Sequence, residues 1–167
     1  MNVKVLYIGA GALFLILFLK SNSSGAATST FDLSSFNDTY GSDNVQRLQT
    51  VLNALVAAGY SGATLQFMLS QILQETGLFT SNPNYNATDN DNNYAGISSG
   101  GSLKQYNSVN DFVSDYISVL SQSPNYPIQA TSITDFNNRL KANGYYTDSQ
   151  TTYGNNLTYY FNLLNAA

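Results

Sequence analysis

Apolar residues recur at helical spacing in five segments, and this repeat is the feature that most constrains the fold. An amphipathic helix places an apolar residue every three or four positions along the face that packs on the core. The segments are built on Val45, Leu48, Leu52 and Leu55; Leu65, Met68 and Ile72; Val109, Phe112, Val113, Tyr116, Ile117 and Leu120; Ile133, Phe136 and Leu140; and Tyr153, Leu157, Tyr160, Phe161 and Leu164. This pattern predicts a mainly helical domain of ordinary size.

Capping residues predict where the helices begin and end. Ser108 with Asp111, and Ser132 with Asp135, have the spacing of a capped helix start. Gly77 stands just after the second apolar repeat, where a glycine commonly terminates a helix.

A small β element is predicted between the second and third helices. The pair Gly100-Gly101 separates two short apolar runs, Tyr94 to Ile97 and Leu103 to Tyr106. A glycine-containing turn between such runs is typical of a hairpin. The predicted fold class is therefore mainly α, with a small hairpin lobe.

The N-terminal segment is uncharged and apolar from Val5 to Leu19, between Lys4 and Lys20. As a helix it would span about 22 Å, which suits a short membrane anchor or a signal peptide. Small residues at Ser24 to Ala27 would suit signal cleavage. We predict an uncleaved signal anchor in residues 1–20, a Ser/Thr/Gly-rich linker in 21–42 and the domain in 43–167. Lys4 and the terminal amine favour a domain outside the cytoplasm.

Composition excludes several function classes. The chain has no Cys and no His, so thiolate or imidazole metal sites and Cys/His or Ser-His-Asp nucleophile systems are excluded. The net charge of −4 argues against nucleic acid as a partner. No cofactor is predicted.

Glu75 is the only glutamate in the chain, and it continues the apolar stripe of Met68 and Ile72 at the end of the second helix. The negative end of the helix dipole and partial burial both disfavour an ionised carboxyl group there. Both effects raise the pKa of Glu75. A carboxylic acid kept protonated near neutral pH can protonate a leaving oxygen, as in glycoside hydrolysis.

Four motifs in order resemble the endo-β-N-acetylglucosaminidase family, which cleaves peptidoglycan and has a lysozyme-like fold. They are Gln74-Glu75-Thr76-Gly77, Asn92-Asn93-Tyr94-Ala95-Gly96-Ile97, Tyr106-Asn107-Ser108-Val109 leading into Asp111-Phe112, and Gly144-Tyr145-Tyr146-Thr147-Asp148. The resemblance covers Val45 to about Leu164.

The resemblance implies roles for five residues. Glu75 matches the catalytic acid of the family, and Tyr145 matches a tyrosine near the reacting sugar. Asn93 and Tyr94 match the start of the segment that lines the substrate cleft. Asp148 matches an acidic position of the same motif as Tyr145, which is more often structural, and we assign it to substrate binding.

A second glutamate used by several members of the family is missing. Asp89, Asp91 or Asp111 could replace it, or the N-acetyl group of the substrate or a lytic cyclisation could take its role. Asp89, Asp91 and Asn93 also imitate the start of a calcium loop. Because Tyr94 replaces the required glycine, and Gly100 stands where the loop needs glutamate, we predict no metal site.

The sequence therefore predicts a membrane-anchored glycosidase that cleaves peptidoglycan, of the β-N-acetylglucosaminidase type. A lytic transglycosylase, or a non-catalytic wall-binding protein on the same scaffold, is the alternative. The expected partners are peptidoglycan glycan chains, a lipid membrane through residues 5–19, and assembly partners in a virion or cell envelope. The expected location is the cell envelope or the membrane of a virion.

Overall fold

The computed structural model describes Leu33, Phe36, residues 41–77 and residues 92–166. Within these residues the protein is mainly helical with one small antiparallel sheet, as predicted. The helices are α1 (Ser42–Ala57), α2 (Gly62–Thr76), α3 (Val109–Leu120), α4 (Ile133–Ala142) and α5 (Gln150–Ala166), with a short 3-10 helix at Pro127–Gln129. The strands are β1 (Ser98–Ser99) and β2 (Ser102–Leu103).

The predicted helix ends are confirmed by their capping contacts. The Ser108 side chain accepts a hydrogen bond from the Asp111 backbone N–H at 3.1 Å, and Ser132 accepts one from Asp135 at 3.0 Å. Gly77 has a φ of 58°, in the left-handed region that terminates a helix with little strain when the residue is glycine.

Helix α2 lies at the centre of the described domain. The sequence predicts one buried stripe, Leu65, Met68 and Ile72, but Phe67, Leu69 and Leu73 are also buried. A helix with apolar residues on more than one face can be covered from several directions. Helix α2 packs mainly against α5, while α5 also packs against α4, and α1 against α3. The end of α2 therefore lies among other elements of the domain.

The hairpin is present, but its strands are not the predicted apolar runs. Ser98 pairs with Leu103 and Ser99 with Ser102, and Gly100 and Gly101 form the turn with positive φ angles. Positive φ at both central residues is the geometry that twists a two-residue turn to match its strands. The placement of strands at Tyr94–Ile97 and Leu103–Tyr106 was wrong, except at Leu103.

The apolar run before β1 is held at its end by the Asn93 side chain together with one backbone hydrogen bond, from the Lys104 N–H to the Ile97 carbonyl oxygen at 2.9 Å. Asn93 is buried, and its amide nitrogen donates to the carbonyl oxygens of Ile97 and Lys104 at 2.8 and 3.0 Å. Its carbonyl oxygen accepts from the Ile97 N–H at 3.0 Å. The Asn93 amide thus adds hydrogen bonds to the backbone groups of Ile97 and Lys104 at the end of the segment, which can turn inward.

The hairpin is attached to α3 through Asp115. Lys104 Nζ and the Tyr106 hydroxyl donate to the same Asp115 oxygen, at 2.7 and 2.6 Å. These contacts fix the side of the domain on which the hairpin lies.

No helix within the described ranges is long and apolar enough to cross a membrane. The predicted anchor in residues 1–20 lies outside the described residues, as does most of the predicted linker.

Candidate active site

Glu75 lies in the last turn of α2, with its carboxyl group directed toward α5. The Tyr153 hydroxyl donates a hydrogen bond to Glu75 Oε1 at 2.6 Å, across 78 positions of sequence. A hydrogen bond to a carboxylate oxygen is short and strong. The contact therefore fixes one oxygen of Glu75 and leaves Oε2 available for another partner.

The surroundings of Glu75 raise its pKa above the ordinary value of 4.5. Burial is the largest cause, because a charged carboxylate loses hydration there. The hydrogen bond from Tyr153 acts in the opposite direction, and the negative charge of Asp148 adds to the rise. The direction agrees with the expectation from the sequence.

Three buried or partly buried tyrosines surround the carboxyl group. Burial is the largest cause that raises the pKa of Tyr116, Tyr145 and Tyr153, and the charge of Glu75 raises each further. The Tyr116 hydroxyl donates to Gln71 Oε1 at 2.7 Å. These phenols therefore stay neutral and act as hydrogen-bond donors instead of as bases.

Gly96 leaves space beside the second carboxyl oxygen. Its φ is +60°, and a Cβ atom at this position would lie 3.4 Å from Glu75 Oε2. A side chain here would be strained and would lie in contact with that oxygen. Glycine therefore keeps one side of Oε2 open.

A cleft of about 230 Å³ lies between the hairpin and the turn after α4. Gly96, Ile97 and Ser98 line one side, and Asn143, Gly144 and Tyr145 line another. The Tyr145 hydroxyl donates to the Ala95 carbonyl oxygen, which ties the turn to the segment before the hairpin. Gly96 and Tyr145 are shared between this cleft and the surroundings of Glu75.

Asn93 and Tyr94 precede the cleft segment, residues 96–98, and do not line the cleft themselves. Asn93 uses its amide to hold that segment, as described above. Tyr94 is buried, its ring meets Phe112 edge-on at 5.2 Å, and its hydroxyl donates to Asn92. These contacts are internal to the protein, and contact of either residue with substrate stays a prediction.

The aspartates that the sequence singles out as site candidates fall into three groups. Asp148 is exposed and near enough for its charge to act on Glu75. Asp111 is exposed at the start of α3, where its carboxylate accepts from the Ser108 hydroxyl at 2.8 Å. Asp89 and Asp91 lie outside the described residues.

Sequence reasoning missed the role of Tyr153, because it placed this residue in the last helix only as part of an apolar face. The available signal was chemical: a tyrosine on a buried face needs a partner for its hydroxyl, and Glu75 was the unusual acceptor. Periodicity alone does not identify such a pair.

A larger concavity of about 330 Å³ lies between α4 and α5. Its lining includes Thr134, Thr151, Asn155 and Thr158, and no lining residue is titratable at ordinary pH. It therefore offers no group for acid catalysis, and the smaller cleft beside Glu75 is the candidate active site.

Comparison with known protein families matches residues 51–166 to the glucosaminidase family, described as mannosyl-glycoprotein endo-β-N-acetylglucosaminidase. No curated protein and no solved structure gives a significant match. The family match spans more than half of the chain and includes Glu75, the cleft segment and Tyr153. The chain therefore belongs to the glucosaminidase family and is a glycoside hydrolase that acts on peptidoglycan.

Proposed function

We propose that this protein is an endo-β-N-acetylglucosaminidase in which Glu75 is the general acid, built on a lysozyme-like arrangement of helices and hairpin. The observation that carries the proposal is the environment of the carboxyl group. Burial raises the pKa of Glu75. The Tyr153 hydroxyl binds Oε1, and the absence of a side chain at Gly96 leaves one side of Oε2 open. A general acid needs this combination of a retained proton and an accessible oxygen.

The geometry favours Oε2 as the oxygen that carries the proton. Oε1 accepts the hydrogen bond of Tyr153, whose phenol keeps its own proton. Oε2 faces Gly96, which also lines the cleft. A sugar in the cleft would bring its glycosidic oxygen toward Oε2.

The chemical step transfers the Glu75 proton to the glycosidic oxygen while the bond from that oxygen to the anomeric carbon breaks. The leaving sugar departs as an alcohol, and positive charge develops on the anomeric carbon and ring oxygen. Ionised Glu75 then stabilises this charge, and it regains a proton from the water that completes hydrolysis.

A second group must assist attack on the anomeric carbon, and the structure reduces the number of candidates for it. Asp111 is exposed at the start of α3, and its carboxylate accepts a hydrogen bond from the Ser108 hydroxyl, so we assign it no catalytic role. Asp89, Asp91 and the N-acetyl oxygen of the substrate remain as candidates, and we favour the N-acetyl oxygen because it needs no second carboxylate.

Tyr145 and Asp148 would contact substrate from the turn after α4. The Tyr145 ring lines the cleft and offers a face on which a pyranose can stack. Asp148 is exposed beside this turn and could accept hydrogen bonds from sugar hydroxyl groups. We also propose that residues 5–19 anchor the protein, with the domain outside the cytoplasm or on a virion membrane.

The test is digestion of purified peptidoglycan followed by mass spectrometry of the products. We expect reducing N-acetylglucosamine ends from the wild-type protein. The Glu75→Gln variant should lose activity by about a hundredfold or more, because it cannot donate a proton. Asp111→Asn is the matched control, since it removes an exposed carboxylate of the described domain, and it should retain activity.

Three outcomes would contradict the proposal. Activity of Glu75→Gln near that of the wild type would remove Glu75 from the mechanism. Reducing N-acetylmuramic ends would show a different bond specificity, and anhydro products would show a lytic transglycosylase.

A further inference from the structure

The Tyr153 ring, whose hydroxyl binds Glu75, is itself held by a series of contacts that reaches α4. The Tyr153 ring stacks on the Tyr146 ring, with centroids 3.7 Å apart and planes 4° from parallel. The Tyr146 hydroxyl donates to Asn137 Oδ1 at 2.7 Å. Asn137 Nδ2 in turn donates to the Gln150 carbonyl oxygen at 3.3 Å. The direction of the Tyr153 ring is therefore set from outside α5.

Asn137 is buried, which is unusual for an amide side chain, and both of its polar ends are used. A buried polar side chain is retained at a cost in hydration unless its hydrogen bonds are made. An apolar residue of similar size could pack α4 against α5. The amide additionally fixes the position of the Tyr146 hydroxyl.

Gly154 makes room for the Asn137 amide. A Cβ atom on Gly154 would lie 2.5 Å from Asn137 Nδ2, a distance at which one of the two must move. Glycine is otherwise unfavourable inside a helix such as α5. Its presence next to Tyr153 is thus explained by the position of Asn137.

We propose that Tyr146 and Asn137 are positioning residues for Glu75, with Gly154 providing the space that Asn137 needs. They hold the Tyr153 hydroxyl on Oε1, so that the acidic proton resides on Oε2. This inference rests on the proposed role of Glu75 as general acid. It adds three residues to the site that contact neither Glu75 nor the cleft.

The Tyr146→Phe variant tests the series with the smallest change, because it keeps the stacked ring and removes only the hydroxyl. If the Tyr153 hydroxyl then loosens from Oε1, Glu75 loses the hydrogen bond that lowers its pKa. A general acid with a higher pKa stays protonated to higher pH. We therefore expect the alkaline limb of the pH profile of kcat/KM to move to higher pH.

The rate should also fall while KM changes little, because the substrate contacts are kept. We expect kcat to fall by about tenfold, less than the hundredfold that a misplacement of about 1 Å can cost. Tyr153→Phe should move the alkaline limb further in the same direction. The alkaline limb of the double variant Y146F/Y153F should coincide with that of Tyr153→Phe, since both changes act through the same hydrogen bond to Oε1.

Ser132→Ala is the matched control for stability. It removes the capping hydroxyl of α4, the helix that carries Asn137, without touching Tyr146. It should lower the melting temperature and leave the pH profile in place. Gly154→Ala is a second test, in which displacement of Asn137 should give the same movement as Tyr146→Phe.

A Tyr146→Phe variant whose alkaline limb coincides with that of the wild type would overturn the proposal and leave the cluster as a purely structural contact between α4 and α5. This result is distinguishable from failure of the proposed function. If the proposed function failed, the Glu75→Gln variant would remain active. If only the present inference failed, Glu75→Gln would be inactive and the Tyr146→Phe variant would have the pH profile of the wild type.

Discussion

The raised pKa of Glu75 predicts a stability difference that depends on pH in a defined direction. The folded protein holds the Glu75 proton more tightly than the unfolded chain, whose carboxyl group titrates near 4.5. Stability from this group is therefore fully present below that value and is lost as pH rises toward the folded pKa. Replacement of Glu75 by Gln removes the ionisable group, so the variant does not lose this stability as pH rises.

The size of the effect follows from the shift. One unit of pKa difference corresponds to about 1.4 kcal/mol of unfolding free energy. About 1 kcal/mol changes the melting temperature of a domain of this size by roughly 2–8 °C. Each unit by which burial raises the pKa of Glu75 should thus make the Glu75→Gln variant several degrees more stable than the wild type at neutral pH.

The assay is thermal unfolding of wild type and Glu75→Gln between pH 3.5 and 8. This range begins about one unit below the ordinary carboxyl pKa and extends past neutral pH. The two melting temperatures should be close at the acidic end, diverge as pH rises and then run parallel. Tyr153→Phe should extend the range of divergence to higher pH, because the hydrogen bond that it removes lowers the pKa of Glu75. In a chain that already carries Glu75→Gln, Tyr153→Phe should not change the pH dependence of the melting temperature. A difference between wild type and Glu75→Gln that is the same at every pH would refute the argument from burial.

Three further predictions concern the cleft and the N-terminus. Gly96→Ala should lower kcat by about tenfold or more and cost roughly 1–2 kcal/mol of stability, because alanine is strained at a φ of +60° and places a methyl group against Glu75 Oε2; wild-type kinetics in this variant would contradict the assignment of Oε2. Tyr145→Phe should lower turnover with only a small change in melting temperature, since the ring still packs and one hydrogen bond to Ala95, worth about 1 kcal/mol, is lost; unchanged turnover in steady-state kinetics would leave Tyr145 a packing residue. The full chain should sediment with membranes and resist carbonate extraction, whereas a chain starting near Thr28 should be soluble and folded; a natural N-terminus at Ala26 to Thr28 would instead show signal cleavage.

The sequence by itself determined the helices and most of their ends. The caps at Ser108 and Ser132 and the terminator Gly77 act within four residues of chain, so their effect is readable locally. The turn at Gly100-Gly101 is local for the same reason. Glu75 could be identified as a candidate acid because its position at the end of an apolar helix, and its uniqueness, are properties of the sequence.

The strand positions predicted from the sequence are wrong because an apolar run does not specify which element packs on it or what pairs with its backbone. The apolar pattern predicts a strand at Tyr94–Ile97, but Asn93 binds the N–H and carbonyl oxygen of Ile97 and the segment turns inward. Local pattern could not reveal that choice, since an asparagine side chain and a neighbouring strand offer the backbone equivalent partners.

Only the tertiary structure decided which groups surround the Glu75 carboxyl group. Periodicity gives the face of a helix that is buried, but it does not say which other face lies opposite. The pairing of Glu75 with Tyr153 joins positions 78 residues apart, and it depends on the packing of α2 against α5. The support of Tyr153 by Tyr146 and Asn137 likewise requires α4, the following turn and α5 to meet. Glu75 is thus recognisable in the sequence as a candidate acid, while the hydrogen bond that distinguishes its two oxygens is set by long-range packing.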